Sequence, residues 1–318
     1  MDASTAKFRY HGTGGSLFGL MLGNALLTII TLGIYSFWAR NSVRQFHYSH
    51  TEADGDRFTY HGTGGELLRG YLKALGIMFV LAMGFGVLSA VLAPGRSQVA
   101  QVIVVIALYV AIFMLSLVAI NGARRYRMSR SSWRGIRFSF HGKAEDFVPM
   151  MLRGTLLSIV TLGFYSPEFQ NQRRAFLVTN ARFGSEPFLY DGEGRALFGE
   201  WVKALLLTIP TLGFSWIWYV AFQHRYFWSH TAMRGARFQS TVTGGDLLSL
   251  SLTNVLLVFL TLGIGAPWAM TRAHQFWTER LSLHGTVEWA TIQQRAQAAD
   301  ATAEGLADSF DIDVGIGM

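Results

Sequence analysis

Apolar residues along this chain come in long blocks rather than in alternation. Leu17 to Thr31, Leu67 to Ala93 and Val99 to Ile120 are near-continuous runs. The last two are each long enough as helices to cross roughly 30 Å of hydrocarbon. Only Pro94-Gly95-Arg96-Ser97-Gln98 separates them, so they read as a helical hairpin. A glycine break and a much more polar helix follow the apolar runs: Trp38 to Phe46 carries Arg40, Asn41, Arg44 and Gln45, and Glu168 to Arg174 is more polar still. Strand-like residues then flank a turn glycine, as in His50 to Asp54, Gly55 and Arg57 to His61, which is the pattern of a β-hairpin.

The order helix, break, polar helix, β-hairpin recurs. Phe8-Arg9-Tyr10-His11-Gly12-Thr13-Gly14-Gly15 returns at Phe58 to Gly65, again from Phe138 to Gly142, and in weakened form at Phe188 and Phe238, at intervals of 50, 80, 50 and 50 residues. Thr31-Leu32-Gly33 returns at Thr161, Thr211 and Thr261 in the same step. The chain reads as five tandem units, about 8–57, 58–137, 138–187, 188–237 and 238–289, the second lengthened by 30 residues. The expected fold is a membrane α-helical one with small extramembrane β-hairpins and about six apolar membrane segments. One repeat-built membrane domain covers 1–290, with the spanning hairpin at 67–122, and an acidic tail covers 291–318. Gly33, Gly163, Gly213 and Gly263 are the expected helix breaks, each acting as a C-terminal glycine, and Ser166-Pro167 and Pro267 signal the start of the next helix.

Composition agrees with a membrane location, since 51% of residues are hydrophobic, 15% are charged and mean hydropathy is +0.28. The absence of cysteine removes disulfides and thiolate metal sites. The net charge of +7 divides unevenly: residues 1–290 hold 26 of 27 Lys/Arg, whereas the tail has five acids against Arg295 alone. A basic body beside apolar helices suits anionic headgroups better than nucleic acid. Charge also separates two topologies. If every short unit crosses once, Lys and Arg fall almost evenly on the two sides. If each short unit enters and returns with Thr-Leu-Gly at its tip, every basic residue except Arg96 lies on one side, and this arrangement is favoured.

The Phe-x-Tyr-His-Gly-Thr-Gly-Gly phrase, the run Thr31 to Arg40 and the closing Asp308-Ser309-Phe310-Asp311-Ile312-Asp313-Val314-Gly315-Ile316 resemble the YjgN-like family of bacterial inner-membrane proteins. The resemblance implies a multi-pass protein of the cytoplasmic membrane, with cytoplasmic termini in the enter-and-return arrangement. It carries no biochemical activity, and as partners it implies the bilayer and another membrane protein such as a metallopeptidase, reached through the tail or the β-hairpins.

Candidate chemistry is sparse. The His-Gly-Thr-Gly-Gly phrases could cradle phosphate or form an oxyanion loop, but glycines releasing a strand into a capped helix explain them more simply. His47 and His50 have helical i, i+3 spacing without a repeated carboxylate or cysteine partner, so neither a metal site nor a cofactor is expected. Catalytic residues are not expected either: no acidic residue recurs inside the apolar helices. One constellation keeps the repeat register: Arg44, Arg124, Arg174, His224 and His274 stand 14 residues before each unit boundary. Five such groups at one depth could ring an anionic solute or lipid headgroup, or could snorkel separately to the interface. Asn24 and Asn254, equivalent by period, are expected to hydrogen-bond between helices. The functional expectation is a non-enzymatic scaffold or partner-regulating protein, with a transporter or channel for a small anionic solute or lipid headgroup as the alternative.

Overall fold

The computed structural model describes residues 5–92, 98–289 and 292, and it is mostly helical. The turn Pro94 to Ser97 and almost all of the acidic tail lie outside the described residues. Strand β1 (Thr5–Tyr10) leads into α1 (Gly14–Ile30), α2 (Ser36–His50) and β2 (Thr51–Ala53). The next round is β3 (Asp56–Tyr60), α3 (Gly64–Leu92), α4 (Gln98–Arg130) and β4 (Ser131–Trp133). Then come β5 (Ile136–Phe140), α5 (Ala144–Val160), α6 (Ser166–Thr179) and β6 (Ala181–Phe183). A fourth round holds β7 (Glu186–Pro187), β8 (Leu189–Tyr190), α7 (Gly194–Leu206), α8 (Ser215–Ser229) and β9 (Thr231–Met233), and a fifth β10 (Ala236–Ser240), α9 (Gly244–Leu260), α10 (Ala266–Glu279) and β11 (Leu281–His284).

The β-hairpins do not stay separate. They join in one antiparallel sheet of order β7-β6-β5-β4-β3-β2-β1-β11-β10-β9-β8. Its two ends are neighbouring pieces of one chain segment, interrupted only at Phe188, whose backbone N–H still donates to the carbonyl of Ala181 at 3.1 Å. The sheet thus curls into a nearly closed barrel. Longer strands hand over from one neighbour to the next: β1 pairs with β11 through Thr5 to Lys7 and with β2 through Phe8 to Tyr10. Closure of this kind satisfies edge N–H and C=O groups that an isolated hairpin would leave open. Asp54-Gly55, Arg134-Gly135 and Arg234-Gly235 make the tight turns, with both residues of each at positive φ, the backbone that a two-residue hairpin loop needs.

The helices close as well. Each packs on its chain neighbours, and α1 packs on α10. Four of the second helices also touch one another: His47 of α2 stacks on His274 of α10, Gln170 of α6 meets Tyr219 and Gln223 of α8, and His224 of α8 lies against Trp277 of α10. These inner polar helices thus bury polar side chains against one another beside the barrel strands, which explains how they tolerate an apolar surround.

Two helices are long and apolar enough to cross a membrane, over Gly64–Val91 and Gln101–Arg130. Their apolar side chains point mostly outward, as Phe79, Val80, Val87 and Tyr109 do, so they are not the buried core of a soluble domain. Gly14–Ile30 and Gly244–Leu260 are apolar but shorter.

The four short pairs turn at Thr-Leu-Gly through one hydrogen-bond pattern. Gly33 N–H donates to Thr28 C=O at 2.8 Å and Leu32 N–H to Ile29 C=O at 3.1 Å, which is a Schellman closure. The expected glycine cap shifts by one residue: Leu32, Leu162, Leu212 and Leu262 take the first left-handed position with φ of 50°, and the glycines follow with φ of 87° to 93°. The threonine serves both helices, because Thr31 Oγ1 donates to Leu27 C=O at 2.8 Å and accepts from Tyr35 N–H at 2.9 Å. A non-glycine residue in this conformation costs about 1–2 kcal/mol. These leucines are 94%, 87%, 88% and 93% exposed, so packing within the chain does not offset that cost.

Candidate functional site

The barrel and the inner helices enclose a cavity of about 170 Å³. Phe8, Phe58, Phe138, Phe188 and Phe238, the repeated phenylalanines of the hairpin phrase, all line it. They come together because four stand on barrel strands, where alternate residues face the same side, and Phe188 sits between β7 and β8. Phe8 and Phe238 lie 6.4 Å apart, Phe188 and Phe238 6.2 Å, and Phe58 and Phe138 6.3 Å between ring centroids. Trp289 sits edge-on against Trp133 at 4.7 Å, and Ile292 joins the same buried cluster.

Of the five register positions, Arg124 and Arg174 face this cavity together. Arg124 is buried, with its guanidinium 5.5 Å from the centroid of Phe140. Arg174 lies over Trp228 at 4.7 Å and Phe227 at 5.8 Å. The Nε atoms of both are cut off from solvent without a hydrogen-bond partner among the described residues. Burial lowers the Arg174 guanidinium to about 10, so it remains charged at neutral pH.

The histidines of the register are not cations. Trp228 Nε1, which can only donate, lies 3.0 Å from His224 Nε2, so that nitrogen accepts and the proton sits on Nδ1, 2.9 Å from Ser240 Oγ. Burial first, then the charges of Arg174 and Arg225, push His224 down to about 4. His274 stacks on His47 at 3.7 Å and on Tyr10 at 5.9 Å, and burial lowers it too. His47, 2.7 Å from the Tyr10 hydroxyl, is pushed down to about 3 by burial and by its histidine neighbours. Arg44 stands elsewhere, in a shallow pocket with Asn24, Thr28 and Met270. The five positions share a register, but two of them form the charged site.

Asn24 and Asn254 hydrogen-bond across helices: Asn24 Nδ2 donates to Ser42 Oγ at 2.8 Å, and Asn254 Nδ2 to Ala269 C=O at 3.2 Å. Each ties the two helices of one pair. The glycine phrase is structural. Thr13 and Thr243 accept from the N–H of Ser16 and Asp246 at helix starts, and a Cβ on Gly14, Gly64 or Gly244 would strike the indole of Trp268, Trp38 or Trp218. No group of three or more His, Cys, Asp or Glu able to hold a metal occurs among the described residues.

The family described as "Bacterial protein of unknown function (DUF898)" matches residues 5–214 and 202–309. The chain belongs to this family. It is 35% identical over 246 residues to the protein named "Inner membrane protein YjgN" of Escherichia coli (strain K12), an alignment covering 67% of this chain and 59% of the relative. The chain thus spans about three-fifths of that relative's length. The protein of the same name from Salmonella typhimurium is 24% identical over 81% of this chain and 83% of its own length. No solved structure matches the chain. These relatives support a bacterial inner-membrane protein of unassigned activity.

Proposed function

We propose that the protein is a non-enzymatic scaffold of the inner membrane that holds its barrel against one face of the bilayer and presents it to another membrane protein. The observation that carries this reading is barrel closure. Because all the hairpins join one sheet, each short pair leaves the barrel and returns to it. The four short pairs then enter and return, and α3 with α4 crosses completely.

Depth along the helices supports the same arrangement. Lys73, Arg153 and Lys203 are exposed at one register on their helices, 80 and 50 residues apart, and Arg272 donates to Thr253 at the corresponding place in the last pair, at 3.0 Å. Cations at a common depth suit headgroups. Beyond Lys73, α3 continues to Leu92, about 28 Å at the helical rise, close to a full hydrocarbon core. Beyond Arg153 or Lys203, nine residues reach the leucine tip, about 13 Å and so about one leaflet. Exposed leucines in a strained turn are what an apolar tip requires. The five repeated rounds are, on this reading, copies of one leaflet-inserting unit, and one copy was lengthened to span.

The termini and hairpins share the cytoplasmic side, and the partner docks through the hairpins or the tail, with the membrane metallopeptidase class the first to try. The transporter reading draws on the contacts among the polar helices α2, α6, α8 and α10. Against it stand the aromatic rings that, with Trp289 and Ile292, narrow the barrel interior to a cavity of about 170 Å³. Single cysteines near Gly55, Gly135, Gly184 and Gly235 should label from one side, and cysteines at Leu32, Leu162, Leu212 and Leu262 from neither. Labelling of any tip from the side opposite Gly55 would end the leaflet-insertion reading. Anion flux into proteoliposomes would favour transport.

A further inference from the structure

The cavity between barrel and helices combines two features that rarely coexist without a ligand. Its wall is mostly aromatic and aliphatic, yet Arg124, Arg127 and Arg174 open onto it, and the carboxylate that also lines it, Asp54, is held in an ion pair by Arg134. The Arg124 and Arg174 guanidiniums therefore share one apolar wall. Neither forms an ion pair with a described acidic residue, although Arg130, Arg134 and Arg237 elsewhere all do. Their contacts are ring faces, and a buried Nε on each lacks a partner. Like charges held together in an apolar wall are costly unless an anion neutralises them. Arginine is also the side chain best shaped to hold a carboxylate or phosphate through paired N–H donors.

We infer that this cavity binds a small amphiphilic anion, with its carboxylate or phosphate between Arg124 and Arg174 and its apolar body among Phe58, Phe138, Phe188 and Phe238. The volume, about 170 Å³, slightly exceeds that of an apolar cavity known to take benzene, so the body is about six to ten heavy atoms and not a two-chain lipid. The neutral His224 beside Arg174 adds no charge, so Arg124, Arg127 and Arg174 supply the cationic part of the wall. This inference does not depend on the scaffold reading, since such a site could anchor, sense or carry its ligand.

Octanoate is the test ligand, added to the full chain in nanodiscs and followed through tryptophan fluorescence, because Trp133, Trp228 and Trp289 line the cavity. Octanoate should bind at least tenfold more tightly than octanol, which lacks the charge, and than acetate, which lacks the body. Octyl phosphate in place of octanoate distinguishes a phosphate head from a carboxylate. Arg124→Gln and Arg174→Gln should each weaken octanoate about tenfold, whereas Arg182→Gln should not.

In thermal melts without ligand, Arg174→Gln should melt no lower than wild type, since an unpaired charge is gone, and octanoate should no longer raise its melting temperature. Equal binding of acetate or octanol by the wild type would overturn the inference, and that arm needs no variant to fold. A retained octanoate shift in Arg174→Gln would overturn it too. The acids of the tail, Asp300 to Asp313, lie outside the described residues and are the competing occupant. Octanoate binding that appears only when they are changed to Asn or Gln in the full chain would assign the arginines to the tail instead.

Discussion

The first helix pair and the second are built to one plan and end differently. In α1 the run reaches Thr31-Leu32-Gly33 and reverses; at the same place in α3 the chain reads Leu81-Ala82-Met83, and the helix continues to Leu92. Threonine, a left-handed leucine and a left-handed glycine close one helix and open the next. Leu-Ala-Met has no residue that favours a left-handed turn and no side chain to accept from the following N–H, so the ladder runs on. Three residues therefore decide whether the helix closes at that point or runs on, while the barrel end of both pairs stays the same.

The strongest way to break this comparison is to exchange the phrases. Changing Leu81-Ala82-Met83 to Thr-Leu-Gly should interrupt α3 where no water can satisfy its backbone, costing several kcal/mol. Loss of folded protein from detergent-solubilised membranes is the expected outcome, and wild-type yield and melting temperature would refute it.

Acid should act next, through the buried His47, His224 and His274 of the polar helices. His224 has an unfolded value near 6.5 and a folded value of about 4, so the unfolded chain binds the proton first. Stability is complete above pH 6.5 and falls as pH drops towards 4, by on the order of 3 kcal/mol for this residue. His224→Gln should flatten part of that fall in denaturation curves taken between pH 7 and 4.

Gly163→Leu or Gly263→Leu should cost about 1–2 kcal/mol each, because both glycines lie at φ of 92°. The same change at Gly84, inside α3, should cost no such backbone penalty, and equal losses in thermal melts would remove the distinction between the pairs. The smallest effect is expected at Asn24→Leu and Asn254→Leu, about 0.6–1 kcal/mol for one interhelical hydrogen bond in a membrane setting. A double variant that costs no more than either single one would show that the two asparagines are not independent ties.

Much of the local architecture is legible in the chain itself. The helix breaks, the turn at Gly55 and the asparagine ties follow from residue types whose preferences act over four or five positions. The candidate site was legible only in part. Periodicity placed Arg44, Arg124, Arg174, His224 and His274 at one depth, but it does not say which way each helix is rotated or which groups stay charged. His47, not in the register, takes the stacking position against His274, while Arg44 lies in a separate pocket. The repeated phenylalanines carried a signal that could have revealed the cavity, since five apolar side chains at one strand position must share a face if the strands join.

What the sequence by itself determined is each unit: where helices start and stop, where the chain turns, and which helix is long enough to cross. Those choices are made by dihedral preference, capping and apolar length, all of them local. Only the tertiary structure decided that the hairpins close on one another, that β1 meets β11 across almost the whole chain, and that Arg124 and Arg174 line one aromatic chamber. Pairing between distant strands depends on backbone hydrogen bonds common to every residue, so no side chain announces its partner, and charge becomes a site only once the folded walls exclude water.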